Sequence, residues 1–197
     1  MAGQSLSELQ IALAYGYKSR NAITFLYQDL LRRDPNDAEI RIAQDGFASS
    51  RNFLVLHIQL AYSEEARSGI INFYQQVAER TPSSSELQQA QDGLASSQTL
   101  LSERRELAGR DEIRDKLRNL YQTLLGISPV PTGTLESAQS ELATSKDFAY
   151  FRSALQQIKN QRDSAPPSVS SSSGSPPSPT PISPSLVPIL GGLLFSN

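Results

Sequence analysis

The sequence predicts an all-α fold of tandem repeats of about 47 residues, each of three short helices, in a compact helical array with a disordered C-terminal tail. Three observations predict it. Tyr27, Tyr74 and Tyr121 stand 47 residues apart, each followed by glutamine (Gln28, Gln75, Gln122), and Ile23, Ile70 and Leu117 keep the same step. Within a copy the apolar residues follow i, i+4, i+7, i+8, as in Ile23, Tyr27, Leu30 and Leu31, or Leu117, Tyr121, Leu124 and Leu125, which is one face of a helix. Start and stop signals punctuate these stripes at equivalent places, and no stretch alternates polar and apolar residues long enough to make a strand.

Residues 1–16 read as an incomplete copy, a cap helix, because Leu13-Ala14-Tyr15 precedes Leu60-Ala61-Tyr62 by the repeat interval. An atypical terminal unit is expected in a stacked array, where one face meets water. Residues 17–66 form the first repeat. Its first helix ends before Pro35, which lacks an N–H and disfavours helix in the residue before it. A capping box, Asn36 with Glu39, then starts a second helix, and Ser49-Ser50 breaks it before a third. Residues 67–112 repeat the scheme with Pro82, Ser83 with Glu86, and Ser96-Ser97.

In the third repeat, 113–163, one residue is gained in the Pro129–Gly133 segment, a loop where insertion is cheap. The columns then resume: Ile40, Leu87, Leu135; Ala43, Ala90, Ala138; Gln44, Gln91, Gln139; Phe47, Leu94, Leu142. This copy lacks the capping box and offers Thr132 or Thr134 as its cap. Helices of about 10–14 residues are expected throughout. The predicted repeat core is Ile23, Tyr27, Leu30, Ile70, Tyr74, Val77, Leu117, Tyr121 and Leu124.

Ile23…Leu26-Tyr27…Leu30-Leu31…Arg33…Pro35, Ile70…Phe73-Tyr74…Val77…Arg80…Pro82 and Leu117…Leu120-Tyr121…Leu124-Leu125-Gly126…Pro129 carry a resemblance. They resemble the repeats of the bacterial domain-of-unknown-function family 4214, itself distantly similar to phycobilisome linker repeats. That family reads Ile-x-x-Leu-Tyr-x-x-Leu-Leu-Gly-Arg-x-Pro and closes with Ser-x-Glu, matched here by Ser63-Glu64-Glu65. The departures are Arg32 and Glu79 in place of glycine and Ile127 in place of arginine. The resemblance covers roughly residues 13–158 and implies a helical packing unit; members often occur in secreted or surface-associated proteins. The glycine-rich calcium repeat that accompanies some of them has no counterpart in this chain.

Composition excludes several chemistries. The chain has no cysteine and one histidine, His57, so thiolate sites, disulfides and multi-histidine metal sites are out of reach. A formal net charge of −2 offers no basic footprint for nucleic acid. No phosphate loop, HExxH or Gly-x-Ser-x-Gly is present. The tyrosine column could stack a ligand, but interior packing of each ring is the better reading. Arg33 and Arg80 are expected to cap the negative ends of the helices before them, with carboxylate binding as the alternative. His57 is a poor catalytic base and has no counterpart in the other copies, and Glu103-Arg104-Arg105-Glu106 reads as a solvated helix face. Asp45 and Asp92 recur but give way to Ser140. No catalytic residue, cofactor or metal is expected.

No charged residue follows Asp163, and 8 of the 12 prolines lie beyond it. Residues 164–185 are therefore expected to be a disordered, polyproline-like linker reaching at most roughly 70 Å. Residues 186–197 form a short apolar peptide in which Leu186, Val187, Ile189, Leu190, Leu193, Leu194 and Phe195 are candidate partner-binding residues. As a helix this peptide is too short to span a bilayer, and no transmembrane segment or Sec-type leader is expected. The expected function is a non-enzymatic scaffold or interaction module with a protein partner, cytoplasmic or exported by a signal-independent route, the tail serving as tether or export peptide. The alternatives are an intracellular adaptor loaded onto a shell or virion through its C-terminal peptide, and a small-ligand or glycan binder.

Overall fold

The structure is a computed structural model that describes residues 6–164; the linker and apolar peptide expected beyond them lie outside the described residues. Within that span the chain is all-helical, and no strand occurs among the described residues. The elements are α1 (Leu6–Ala14), α2 (Tyr17–Leu31), α3 (Asp37–Ala48), α4 (Phe53–Ala61), α5 (Glu64–Ala78), α6 (Ser84–Ala95), α7 (Leu100–Gly109), α8 (Asp111–Leu125), α9 (Thr132–Thr144) and α10 (Phe148–Ser164). Starts at Tyr17, Glu64 and Asp111 are 47 residues apart, and α2, α5 and α8 are each 15 residues long. Lengths run from 9 to 17 residues, a wider spread than expected. The last helix takes in Ser164, the residue expected to open the linker.

The helices pack as two compact units, residues 1–75 with 80–104 and residues 76–79 with 105–197, the second extending past the described residues. In the first, α1 packs on α3, α4 packs on α6, and α2 packs against both α3 and α4. Its interior holds Ile23, Leu26, Tyr27, Leu30, Ile70, Phe73, Tyr74 and Leu94. In the second, α8 packs against α9 and α10 over Val77, Ile113, Leu117, Tyr121, Leu142, Phe151 and Leu155. Leu124 is corrected: it is half-buried, and Leu125 takes the interior place. The buried stripe of α8 is Ile113, Leu117, Tyr121 and Leu125, a strict four-residue row that carries the inward direction to Leu125.

Both predicted capping boxes form. The Asn36 side chain accepts from the Glu39 N–H at 2.9 Å while Glu39 accepts from the Asn36 N–H at 2.8 Å, and Ser83 and Glu86 do the same. The third copy is again a correction, since α9 is entered from Pro131 with no side-chain cap. Thr132 is already helical, and Thr134 is buried with no hydrogen-bond partner for its hydroxyl.

Several helix ends share one backbone geometry. Arg32, Glu79 and Gly126 each follow the first helix of their copy in left-handed backbone, at φ 59°, 52° and 68°. Ser50 and Ser97 end the second helices at φ 72° and 87°. There the N–H of Arg51 bonds the Gly46 carbonyl at 2.9 Å and that of Ser50 bonds Phe47 at 3.2 Å, the paired bonds of a Schellman stop. Left-handed backbone strains any residue with a Cβ by about 1–2 kcal/mol, only partly offset by the extra freedom glycine has when unfolded. Arg32→Gly and Ser97→Gly are therefore each expected to stabilise the protein by about 0.5–1 kcal/mol. The readout is a higher urea midpoint at unchanged m-value, with the alanine variants at the same positions showing no gain.

Candidate protein interface

The polar side chains that repeat along the chain are committed to one another. Arg33 grips Glu39 with two parallel bonds of 2.8 and 2.7 Å and reaches Glu65 at 2.5 and 2.7 Å. Its guanidinium lies 5.2 Å from the centre of the Tyr27 ring. Arg80 repeats the fork onto Glu86 at 2.8 and 2.7 Å and lies 5.4 Å from the centre of the Tyr74 ring. The bonds from the arginines hold the Glu39, Glu65 and Glu86 carboxyls below the usual carboxylate range, and those of Glu39 and Glu65 raise Arg33. The helix-capping role expected for these arginines is thus corrected. The carbonyls of Asp34 and Thr81, which they bond, lie beyond the helix ends, because the left-handed residue turns the chain away before the arginine. What they bind is carboxylate, from within the chain.

The third copy has neither partner: Ile127 stands at the arginine position and Thr134 at the glutamate position. Tyr121 is 1% exposed, and burial pushes its hydroxyl up to about 12. Tyr27 and Tyr74 are buried as well, so none of the three rings offers a stacking surface. A second paired column behaves alike. Tyr15 donates to Asp45 and Tyr62 to Asp92, while the third copy has Gly109 and Ser140 at those positions. His57 also proves to have a counterpart in role: its Nε2 donates to the Leu94 carbonyl at 2.8 Å, as Gln10, one interval earlier, donates to Phe47 at 3.2 Å. Two different side chains serve one purpose, which is why residue type concealed the match.

A different feature of the surface is apolar. Every exposed large hydrophobic side chain among the described residues lies between Leu9 and Tyr62. The later copies place polar groups in three of these columns: Tyr17 becomes Glu64 and Asp111, Phe25 becomes Asn72 and Asn119, and Ile42 becomes Gln89 and Ser137. Helix α4 is apolar on nearly every side, exposing Phe53, Leu54, Val55 and Ile58, whereas α7 carries Ser102 and Arg105 where α4 has Val55 and Ile58. Single exposed apolar residues need no explanation, but a concentration of them does. It includes an open groove of about 430 Å³ floored by Leu9, Leu13, Phe47 and Phe53, with Gln10 and Arg51 at its polar edge. The Phe47 and Phe53 rings are 5.9 Å apart, and Phe53 also lines a neighbouring cavity with Phe25 and Leu26.

The sequence reading missed this surface, although comparing columns for polarity rather than similarity would have found it. The candidate partner-binding residues Leu186 to Phe195 lie outside the described residues. No helix among the described residues is long and apolar enough to cross a membrane. Compared with protein-family models, curated proteins and solved structures, the chain matches none.

Proposed function

We propose that this chain is a non-enzymatic helical-repeat interaction module that holds a protein partner on the apolar surface of its first repeat. The observation that carries the reading is the confinement of exposed hydrophobic side chains to residues 9–62, with Tyr17, Phe25, Ile42 and Ile58 in columns that turn polar later in the chain. Exposed apolar area of this kind is unfavourable in water unless something covers it. The non-enzymatic part is supported by the occupations of the reactive-looking groups, since Arg33, Arg80, His57, Asp45 and Asp92 all hold the fold together. The scaffold role agrees with the packing-unit character of the family 4214 repeats that the sequence resembles.

The test is recovery of partners from extracts of the source cell by the full chain, its Leu13→Asp and Leu54→Asp variants, and a chain lacking residues 186–197. Both substituted side chains are exposed, so melting temperatures should stay within about 2 °C, the effect of a surface change of ~0.5 kcal/mol or less. The expected result is a protein recovered by wild type and by the truncated chain but lost with the aspartate variants. Loss only on truncation would move the interaction to the C-terminal peptide, and recovery by every variant would end the proposal.

A further inference from the structure

The occupant of the groove on α1 can be read from the chain's own repetition. Adding 47 residues converts Gln10, Leu13, Ala14 and Arg51 into His57, Leu60, Ala61 and Gln98. At that second level a helix is in place, for α4 packs against α2. One cavity there is walled by Phe25, Leu26, Asp29 and Leu30 of α2, by His57 of α4, and by Gln98. Burial differs between the levels: Leu60 and its next counterpart Leu107 are 8% and 1% exposed, whereas Leu13 is 68% exposed. Helix α1 rests on α3 as α4 rests on α6, but no described helix plays the part of α2 for it.

We infer that the groove formed by Leu9, Leu13, Phe47, Phe53 and Arg51 receives an amphipathic helix from a partner protein, a helix that resembles α2 in its Leu-x-x-Asp-Leu face. This deepens the interaction reading above and rests on it. Charge selects the helix. Where Gln98 shares a cavity with Asp29, its counterpart is the cation Arg51, for which the described residues supply no ion pair. An acidic residue set between the two leucines of that face would meet the cation while the leucines cover Leu13, an apolar ridge entering an apolar groove. A second copy is the weaker occupant, because Leu26 and Leu30 of α2 are already buried in its own first unit. So is the peptide 186–197, which has no acidic residue and carries Pro188 and Gly191-Gly192 against helix formation.

The probe is a fluorescent peptide with the sequence of α2, residues 17–31, titrated into the full chain. Saturable binding is expected, weakened by about tenfold in the Arg51→Glu protein and abolished by Leu13→Asp or by a peptide with Leu26 and Leu30 both changed to alanine. A peptide carrying Asp29→Arg should bind the Arg51→Glu protein better than the wild type, a reversal that a loss of folding cannot produce. The inference falls if no saturation is seen by about 1 mM, or if binding ignores Arg51 and Leu13. It also falls if the chain alone sediments as a dimer that Leu13→Asp dissociates, which would give the groove to a second copy. Should the peptide fail while Leu13→Asp still loses the natural partner, the interaction reading survives and only the helical occupant is lost.

Discussion

Replacing Tyr121 with alanine is expected to destabilise the protein by about 3–5 kcal/mol, the range for truncating a large aromatic side chain in a packed interior. At 1% exposure the ring gives up nearly all its contacts, and the row Ile113, Leu117, Tyr121, Leu125 loses its largest member. For a chain of this size the melting temperature should fall by on the order of 10 °C. Tyr121→Phe keeps the ring and should stay within about 1.5 kcal/mol of wild type, since only the hydroxyl is removed. Thermal and urea denaturation followed at 222 nm measure both. Tyr74→Ala belongs to the same range, with an added loss of about 0.5–1 kcal/mol from the Arg80 guanidinium over its ring. A Tyr121→Ala protein that melts like wild type would mean the column does not hold the interior together.

The helices were legible because their signals are local. A stripe at helical spacing, a proline after it and an Asn-x-x-Glu or Ser-x-x-Glu box each act within one or two turns; α2 ends ahead of its proline, and α3 and α6 begin at their boxes. What the arginines do was not legible, because their partners depend on how the chain leaves the helix. Arg32 in left-handed backbone redirects Arg33 toward Glu39, six residues on, and Glu65, in the first turn of α5. Leu124 and Leu125 could not be ranked from spacing alone, since both fit a helical stripe and the choice lies with the facing helices. The third copy's cap was misread for a related reason. Thr134 is a good capping residue by type, but α9 starts from Pro131, and this leaves Thr134 inside the first turn and buried.

The candidate interface was legible in principle and hidden by the method of reading. A search for repeats rewards columns that agree, such as the tyrosines, and these turn out to be interior. Function that distinguishes one copy from the others sits in columns that disagree: Phe25 against Asn72 and Asn119, Ile58 against Arg105, Arg51 against Gln98. Agreement reports what every unit needs in order to pack. Disagreement on the solvent side reports what one unit does alone.

The arginine and glutamate columns disappear together in the third copy, and this joint loss leads to the second large expected effect. Thr134→Glu restores the glutamate without its arginine, placing a carboxyl at a site only 4% exposed. An unpaired buried charge costs about 3–5 kcal/mol, or else the group stays protonated. The double variant Ile127→Arg with Thr134→Glu supplies the fork and should recover on the order of 2 kcal/mol of that loss, well beyond the sum of the single changes. The pH dependence separates this from a simple packing error. A carboxyl whose folded pKa is raised destabilises at neutral pH, so the penalty on Thr134→Glu should shrink as pH falls from that raised value toward about 4.5, below which the group is neutral folded or unfolded and its electrostatic part is gone. Glu39 and Glu86 act with the opposite sign. Bonds from Arg33 and Arg80 hold them below the usual range, so their contribution is present above the unfolded value and lost as pH drops through the folded one. Denaturation of wild type, single and double variants between about pH 3 and 7 should show the single-variant penalty narrowing toward acid, while the wild type itself weakens. A penalty that does not change with pH, or a double variant no better than Thr134→Glu, would mean that the two columns vanished independently.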